Sequence, residues 1–302
     1  MAIYAFDGTG NEDNPGEGED TNVLKFFRAY EDAYSGPGKC FYVAGVGTRY
    51  SVLGDLFGKM LGIGGHQRIG EAMDQLEANF RNGDCDIDII GFSRGAALAL
   101  EFANDILEEG VNGEEAPTIR FMGLWETVAS FGIPGNRINL GYDLTLPYIV
   151  QHCCHAIALD ERRQLFPLTR VVQDAYSDRE LRDIREVWFR GYHSDVGGGN
   201  NNEGLSNIPL YWMYQHAQRN KLPLDDAQIK KASGGSDSWA ECKTPGMDLM
   251  ANKKRTIYAT DLVHNSVMRR TKAGRFAANN PPVGLCVVDD AGEIVGKGFE
   301  KP

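Results

Sequence analysis

The run Asp86-Ile87-Asp88-Ile89-Ile90-Gly91-Phe92-Ser93-Arg94-Gly95, followed by Ala96 to Leu107, decides the fold. Alternation over Asp86 to Ile90 predicts a strand, the next five residues a sharp turn, and the alanine- and leucine-rich run a helix. Gly-x-Ser-x-Gly suits such a turn, because glycines keep β-carbons away from a serine held on a bend too tight for ordinary neighbours. The N–H that follows Ser93, that of Arg94, then lies at a helix N-terminus, where developing negative charge is stabilised. The plainer alternative is a glycine-rich turn with Ser93 as helix cap.

Working outward toward the N-terminus, Ile3 to Phe6 reads as a buried strand delivering the loop Asp7-Gly8-Thr9-Gly10-Asn11. Glu12 to Asp20 reads as an exposed acidic loop, Asn22 to Tyr34 as a helix, and Cys40 to Ala44 as a second strand. Ser51 to Gly65 is apolar and glycine-rich, either a flap or a glycine-broken core helix, and Gln67 to Arg81 is an amphipathic helix. Toward the C-terminus, Arg120 to Trp125 is a strand ending at Glu126-Thr127-Val128. Gln151 to Leu159 reads as a helix, with Asp160-Glu161-Arg162-Arg163 as its solvated charged end. Glu186 to Arg190 is a strand running into Gly191-Tyr192-His193-Ser194-Asp195-Val196-Gly197-Gly198-Gly199. Ile208 to Arg219 is a helix whose Tyr211 to Tyr214 belong to the core, 230–246 is a loop, and Lys253 to Arg270 holds a last strand or helix with His264. Val283 to Val295 is a hairpin around Asp289 to Gly292. Repeated strand–helix units imply an α/β fold: a mainly parallel central sheet flanked by helices, in one elaborated domain spanning 1–302. Its binding crevice lies outside the strands' carboxyl ends.

Composition narrows the function. The 302 residues carry 31 basic and 42 acidic side chains, a net charge of −11, which disfavours nucleic acid and anionic surfaces. With 42 % hydrophobic and 24 % charged residues the chain has a full core and is not disordered. Glycine is abundant, 36 residues, as expected of many tight turns. Six cysteines without a Cys-x-x-Cys pair point to synthesis in a reducing compartment. No transmembrane segment and no classical export signal are expected, which leaves open export without a cleaved peptide.

Strand ends supply the candidate chemistry. A serine hydroxyl needs a histidine to accept its proton, and that histidine needs a carboxylate to fix its tautomer. Of six histidines, His66 and His216 fall in helices and His152 and His155 in the predicted 151–159 helix, which leaves His193 and His264. Ser93, Glu126 and His193 form the preferred set, and Ser93, Asp195 and His264 the rival. Both keep the order serine, acid, histidine. Glu126 could instead be a helix cap, and Asp195 an Asx-turn residue. Oxyanion donors are the N–H groups of Arg94 and of Gly8 or Thr9. Asp7 followed by Gly8-Thr9 also resembles the nucleophile strand of aspartate-based phosphatases. With Glu126 and Asp195 it could hold a divalent cation, with Asp7 and Asp195 as the first candidates, giving a metal-assisted phosphohydrolase. That reading leaves Gly-x-Ser-x-Gly unexplained.

Phe6 to Asn11, Gly91 to Ala96, Leu124 to Val128, His155 to Arg163 and His193 to Gly199 together resemble an α/β-hydrolase family of formerly unknown function that includes phospholipase effectors of bacterial type VI secretion. The motifs span 6–199 in the family's order, with 200–302 as a C-terminal part. The resemblance implies an α/β-hydrolase fold and hydrolysis of lipid carboxylic esters by a Ser–acid–His triad, with Ser93 and His193 on the motif positions. Relatives usually carry aspartate where this chain has Glu126, which gives Asp195 weight. No organic cofactor is implied, and a Ca2+ requirement is left open. The implied setting is an antibacterial toxin made in the bacterial cytoplasm, exported without a cleaved signal peptide, and acting on a target cell's membrane. Implied partners are phospholipid, the secretion apparatus and an immunity protein. A non-lipid esterase and a binding module of a toxin complex are the alternatives.

Overall fold

The computed structural model describes residues 2–8, 20–45, 55–129, 141–164, 166–172, 182–243, 253–270, 272–273 and 276–298. In chain order the strands are β1 (Ala2–Phe6), β2 (Phe41–Val43), β3 (Ile87–Phe92), β4 (Ile119–Trp125), β5 (Val150–Ala158), β6 (Asp183–Phe189), β7 (Leu262–His264), β8 (Lys272–Ala273), β9 (Phe276–Ala277), β10 (Cys286–Val288) and β11 (Ile294–Lys297). The helices are α1 (Asn22–Ala33), α2 (Asp55–Arg81), α3 (Arg94–Glu109), α4 (His193–Gly197), α5 (Glu203–Arg219) and α6 (Asp226–Gly234), with a 3-10 turn at Asn265–Arg269. Nine strands form one sheet in the order β11-β10-β7-β6-β5-β4-β3-β1-β2, parallel throughout except for the β10–β11 hairpin. β8 and β9 form a separate antiparallel pair.

The expected α/β class is the one observed, and strand periodicity explains the layers. Ile3 and Ala5 of β1 face one side, with α1 and α5, whereas Ala2, Tyr4 and Phe6 face the other, with α2 and α3. Trp212, Met213 and Tyr214 of α5 are core residues, as their spacing implies. A third cluster, Ile157, Leu159, Trp188, Val263, Val267 and Leu285, closes the sheet toward β10. The β10–β11 hairpin turns at Asp289 to Gly292, where Gly292 has φ +72°. Among the described residues no helix is long and apolar enough to cross a membrane.

Two local expectations are corrected. Residues 150–158 form the central strand β5 where a helix was expected over 151–159, because from Cys153 on the strand is buried on both faces and so short a run shows neither alternation nor a helical period. Residues 230–234 belong to α6, capped by the Asp225 carboxylate on Gln228 N–H at 2.9 Å, so the predicted 230–246 loop begins later. Of the two readings of Ser51 to Gly65, the helix is the one found over its described part: α2 begins at Asp55 and runs unbroken to Arg81, joining the helix expected over Gln67 to Arg81; 51–54 lie outside the described residues, as does most of the Glu12 to Asp20 loop.

Candidate active site

Ser93 stands between β3 and α3 at φ 57°, ψ −122°, a left-handed backbone that L-residues rarely adopt. Neighbouring strand ends hold it there: Ser93 N–H donates to the Trp125 carbonyl at 3.0 Å, and Val128 N–H to the Ser93 carbonyl at 3.2 Å. The flanking glycines are required sterically. A β-carbon on Gly91 would lie 2.6 Å from the Ala96 Cα, and one on Gly95 would lie 2.2 Å from the Phe6 carbonyl oxygen. Gly95 therefore lets the nucleophile turn press against the end of β1.

His193, the first residue of α4, places Nε2 2.9 Å from Ser93 Oγ and Nδ1 3.0 Å from Glu126 Oε2. A carboxylate facing Nδ1 fixes the proton there, so Nε2 is free to accept from the serine hydroxyl. The imidazole packs against two rings, Phe92 at 4.8 Å and Phe166 at 4.7 Å between centroids, and the Arg163 guanidinium lies over the Phe166 ring at 3.9 Å. His193 backbone N–H donates to Glu161 Oε2 at 3.1 Å. Burial pulls the His193 pKa below its ordinary value, against the opposing pull of Glu126.

Glu126 also has a left-handed backbone, φ 51°, and is fully buried. Its Oε1 accepts from Ala158 N–H at 2.5 Å and Arg255 Nη1 at 2.6 Å, and Oε2 from His193 and from Arg255 Nη2 at 3.0 Å. Burial would raise its pKa, but the charge of Arg255 and the bonds to His193 and Arg255 bring it down to about 2. Beside it, Thr127 N–H and Oγ1 meet His155 Nε2 at 3.2 and 3.1 Å, and His155 Nδ1 meets Glu186 at 3.0 Å. This pins the residue after Glu126 to β5 and β6.

The other sequence candidates are placed elsewhere. Asp195 caps α4: its carboxylate accepts from Tyr192 N–H at 3.0 Å, Asn200 at 3.0 Å and Asn202 at 2.7 Å. His264, at the end of β7, meets Ser266 Oγ at 2.9 Å and Asp290 at 3.2 Å and stacks on Phe189. The rival set Ser93, Asp195, His264 is thus not assembled, because the Asx-type role of Asp195 holds the glycine-rich loop instead. Asp7 accepts from Gly8 N–H, Thr21 Oγ1 and Tyr42 OH, each at 2.6 Å. Burial, partly offset by those bonds, raises it to about 6. Asp7 and Asp195 spend their oxygens on protein donors, and among the described residues no acidic, histidine or cysteine group is arranged to hold a metal, so these residues do not fit the cation proposed for them. Gly8 N–H is engaged by Asp7, Arg94 opens α3 directly after Ser93, and Thr9 lies outside the described residues.

Asp160 and Glu161 are a correction. Both are buried rather than solvated: Asp160 pairs with Arg190 at 2.9 Å and accepts from Gly191 N–H at 2.9 Å, and Glu161 pairs with Arg163 at 2.7 Å. Glu161, Phe166 and Arg255 also touch the relay, although the sequence pattern does not single them out. Once 150–158 is a strand, Asp160 and Glu161 stand at its carboxyl end, which was the available signal for the first. Arg255 had none.

A serine on a left-handed turn between a strand and a helix of a mainly parallel sheet places the chain in the α/β-hydrolase class. More narrowly, it belongs to the family described as the Tle1-like phospholipase effector catalytic domain of type VI secretion, whose model matches residues 2–115 and 104–216. A crystal structure of an uncharacterized protein from Pseudomonas aeruginosa shares the fold at 22 % identity and TM-score 0.53, covering 78 % of this chain and 48 % of that one. The structure of the Tle1 effector bound to the VgrG spike of the type VI system is 24 % identical with TM-score 0.45, covering 67 % and 51 %. The chain spans about half the length of these two proteins. No curated protein matches it.

Proposed function

We propose that the protein is a serine hydrolase that cleaves a carboxylic ester of a phospholipid and serves as a type VI secretion effector. The observation that carries the chemistry is the unbroken relay Ser93 Oγ to His193 Nε2, and His193 Nδ1 to Glu126, at 2.9 and 3.0 Å. Family membership supports the lipid substrate and the delivery route.

In this mechanism Ser93 Oγ attacks the ester carbonyl while His193 Nε2 takes its proton, and Glu126 stabilises the imidazolium that forms. The oxyanion rests on Arg94 N–H at the start of α3 and on a second donor from the loop after β1, either Thr9 or Gly8 once its N–H leaves the Asp7 carboxylate that it bonds at 2.6 Å. His193 then returns the proton to the leaving alcohol, and water, deprotonated by the same nitrogen, releases the fatty acid. Secretion apparatus and an immunity protein are the expected partners, and a target-cell membrane the expected site of action.

The test is incubation of the protein and its Ser93→Ala variant with mixed phospholipid vesicles, with and without Ca2+, with products identified by mass spectrometry. Fatty acid and lysolipid from the unsubstituted protein alone are expected. A fluorophosphonate probe that labels Ser93 while no lipid product forms would keep the hydrolase and reject the lipid. Headgroup or phosphate release surviving in Ser93→Ala would reject the serine mechanism, and no labelling at all would reject the enzyme.

A further inference from the structure

The C-terminal part, 200–302, lies almost wholly beyond the family match, which ends at residue 216, yet it reaches the catalytic carboxylate. Arg255 has its guanidinium almost fully buried and offers both terminal nitrogens to Glu126, at 2.6 and 3.0 Å. The same two nitrogens donate to the carbonyls of Ala158, at 2.8 Å, and Phe166, at 3.2 Å. These carbonyls bracket the 158–166 segment that brings Ala158 N–H to Glu126, Glu161 to the His193 backbone and the Phe166 ring to the imidazole. Asn279 locks the arrangement from behind, its side-chain amide donating to the carbonyls of Arg255 and Leu159, both at 3.0 Å.

A buried ion pair adds little stability compared with an apolar replacement, so a guanidinium forked onto a triad carboxylate needs another reason to be there. Glutamate is one methylene longer than aspartate and would swing more freely from a strand end. Four donors divided between its two oxygens remove that freedom and leave Oε2 aimed at Nδ1. The fork also places a positive charge against the carboxylate that must offset the imidazolium, which lowers the proton affinity of the pair as a whole.

We infer that Arg255 is a positioning residue for the Ser93–His193–Glu126 relay: it fixes the Glu126 carboxylate for His193 and holds the histidine in its base form at mildly acidic pH. The inference rests on the proposed serine mechanism. The other charges around the pair are Glu161 on the His193 backbone and Arg163 beyond Phe166, with the Asp160–Arg190 pair next along the chain. None of these touches Glu126 in place of Arg255, so loss of the guanidinium leaves the carboxylate charge uncompensated and the pair takes up its proton at higher pH.

The test compares the full chain with Arg255→Met and Arg255→Lys by kcat and KM on a soluble p-nitrophenyl ester across pH 4 to 9, and by NMR titration of the His193 imidazole. For Arg255→Met the acid limb of kcat/KM and the imidazole titration move up by about one pH unit or more, and kcat falls about tenfold or more with KM within about twofold. Arg255→Lys keeps the charge without the fork, so its limb stays near the original while kcat remains reduced severalfold. A folded Arg255→Met with unchanged limb and titration overturns the inference, even if its activity falls, since a merely structural residue would behave that way. If Arg255→Met does not fold, Arg255→Lys decides: reduced kcat with the limb in place supports the role, whereas unchanged kcat, or failure to fold, overturns it. The NMR arm needs no turnover, so it separates this outcome from failure of the hydrolase reading, which Ser93→Ala and the fluorophosphonate probe report on their own.

Discussion

His193 is buried, packs against two aromatic rings, and faces a carboxylate already shared with a guanidinium. Burial therefore governs its titration, and the imidazole is neutral, and competent as a base, at pH values where a free histidine is half protonated. Glu126, held at about 2, contributes no titration of its own above that range. The acid limb of kcat/KM is accordingly expected below about pH 6.5, the ordinary imidazole value, in a pH–rate profile on a soluble ester. A limb well above that value would mean that another group controls the base. Glu126→Gln should lower kcat by about 10³-fold or more, because the amide no longer carries the charge that stabilises imidazolium and can turn an N–H toward Nδ1. Activity within tenfold of the original in a single-turnover assay would remove Glu126 from the relay.

Elements meet at the nucleophile with almost no space between them. The end of β1 passes so close to the first turn of α3 that a β-carbon on Gly95 would strike the Phe6 and Asp7 carbonyls, at 2.2 and 2.6 Å, and backbone cannot swing aside as a long side chain can. Gly95→Ala should therefore cost about 2 to 4 kcal/mol in urea unfolding, well beyond a typical single substitution, and displace the loop that supplies an oxyanion donor. A variant with unchanged stability would show that the loop gives way freely. Much of this assembly was legible before the structure: the strand–turn–helix around Ser93 follows from an alternating run broken by Gly-x-Ser-x-Gly, and the strand end carrying Glu126 and the glycine-rich stretch carrying His193 follow from short apolar runs that give way to polar residues. Strand β5 was not, because Cys153 to Ala158 is buried on both faces and so short a run carries no period to choose strand over helix. The same ambiguity hides Asp160 and Glu161, whose charges read as solvated beside a helix but are buried beyond the end of a strand. Arg255, the last of the three consecutive basic residues Lys253 to Arg255, was illegible for a different reason: its partner lies 129 positions away and nothing local points to it.

Across the whole molecule, buried carboxylates are perturbed in opposite directions, and the sum sets how stability varies with pH. Glu126 and Glu161, each brought down to about 2 by arginine partners against the effect of burial, stay ionised in the fold and destabilise it only in strong acid. Glu101 is raised to about 7, and Asp7 and Asp105 to about 6, in each case first by burial. In the unfolded chain these three titrate near ordinary carboxylate values, so between about pH 4 and 7 the folded protein binds more protons than the unfolded one. Stability then falls as pH rises through that window and is regained on mild acidification, the reverse of what depressed carboxylates would give. The net charge of −11 acts in the same sense, since protonation relieves self-repulsion. Thermal unfolding is therefore expected to show Tm increasing by several degrees from pH 8 to pH 5.5 before the acid-side loss begins. The combined Glu101→Gln and Asp105→Asn substitutions should flatten that rise. Both residues lie away from the Ser93 relay, Glu101 accepting from Asp143 N–H at 2.5 Å, so the flattened profile should come with kcat within about twofold of the original. A Tm that instead falls steadily from pH 8 to 5.5 would mean that the raised carboxylates are outweighed by groups such as His193 and His216, whose neutral forms burial favours.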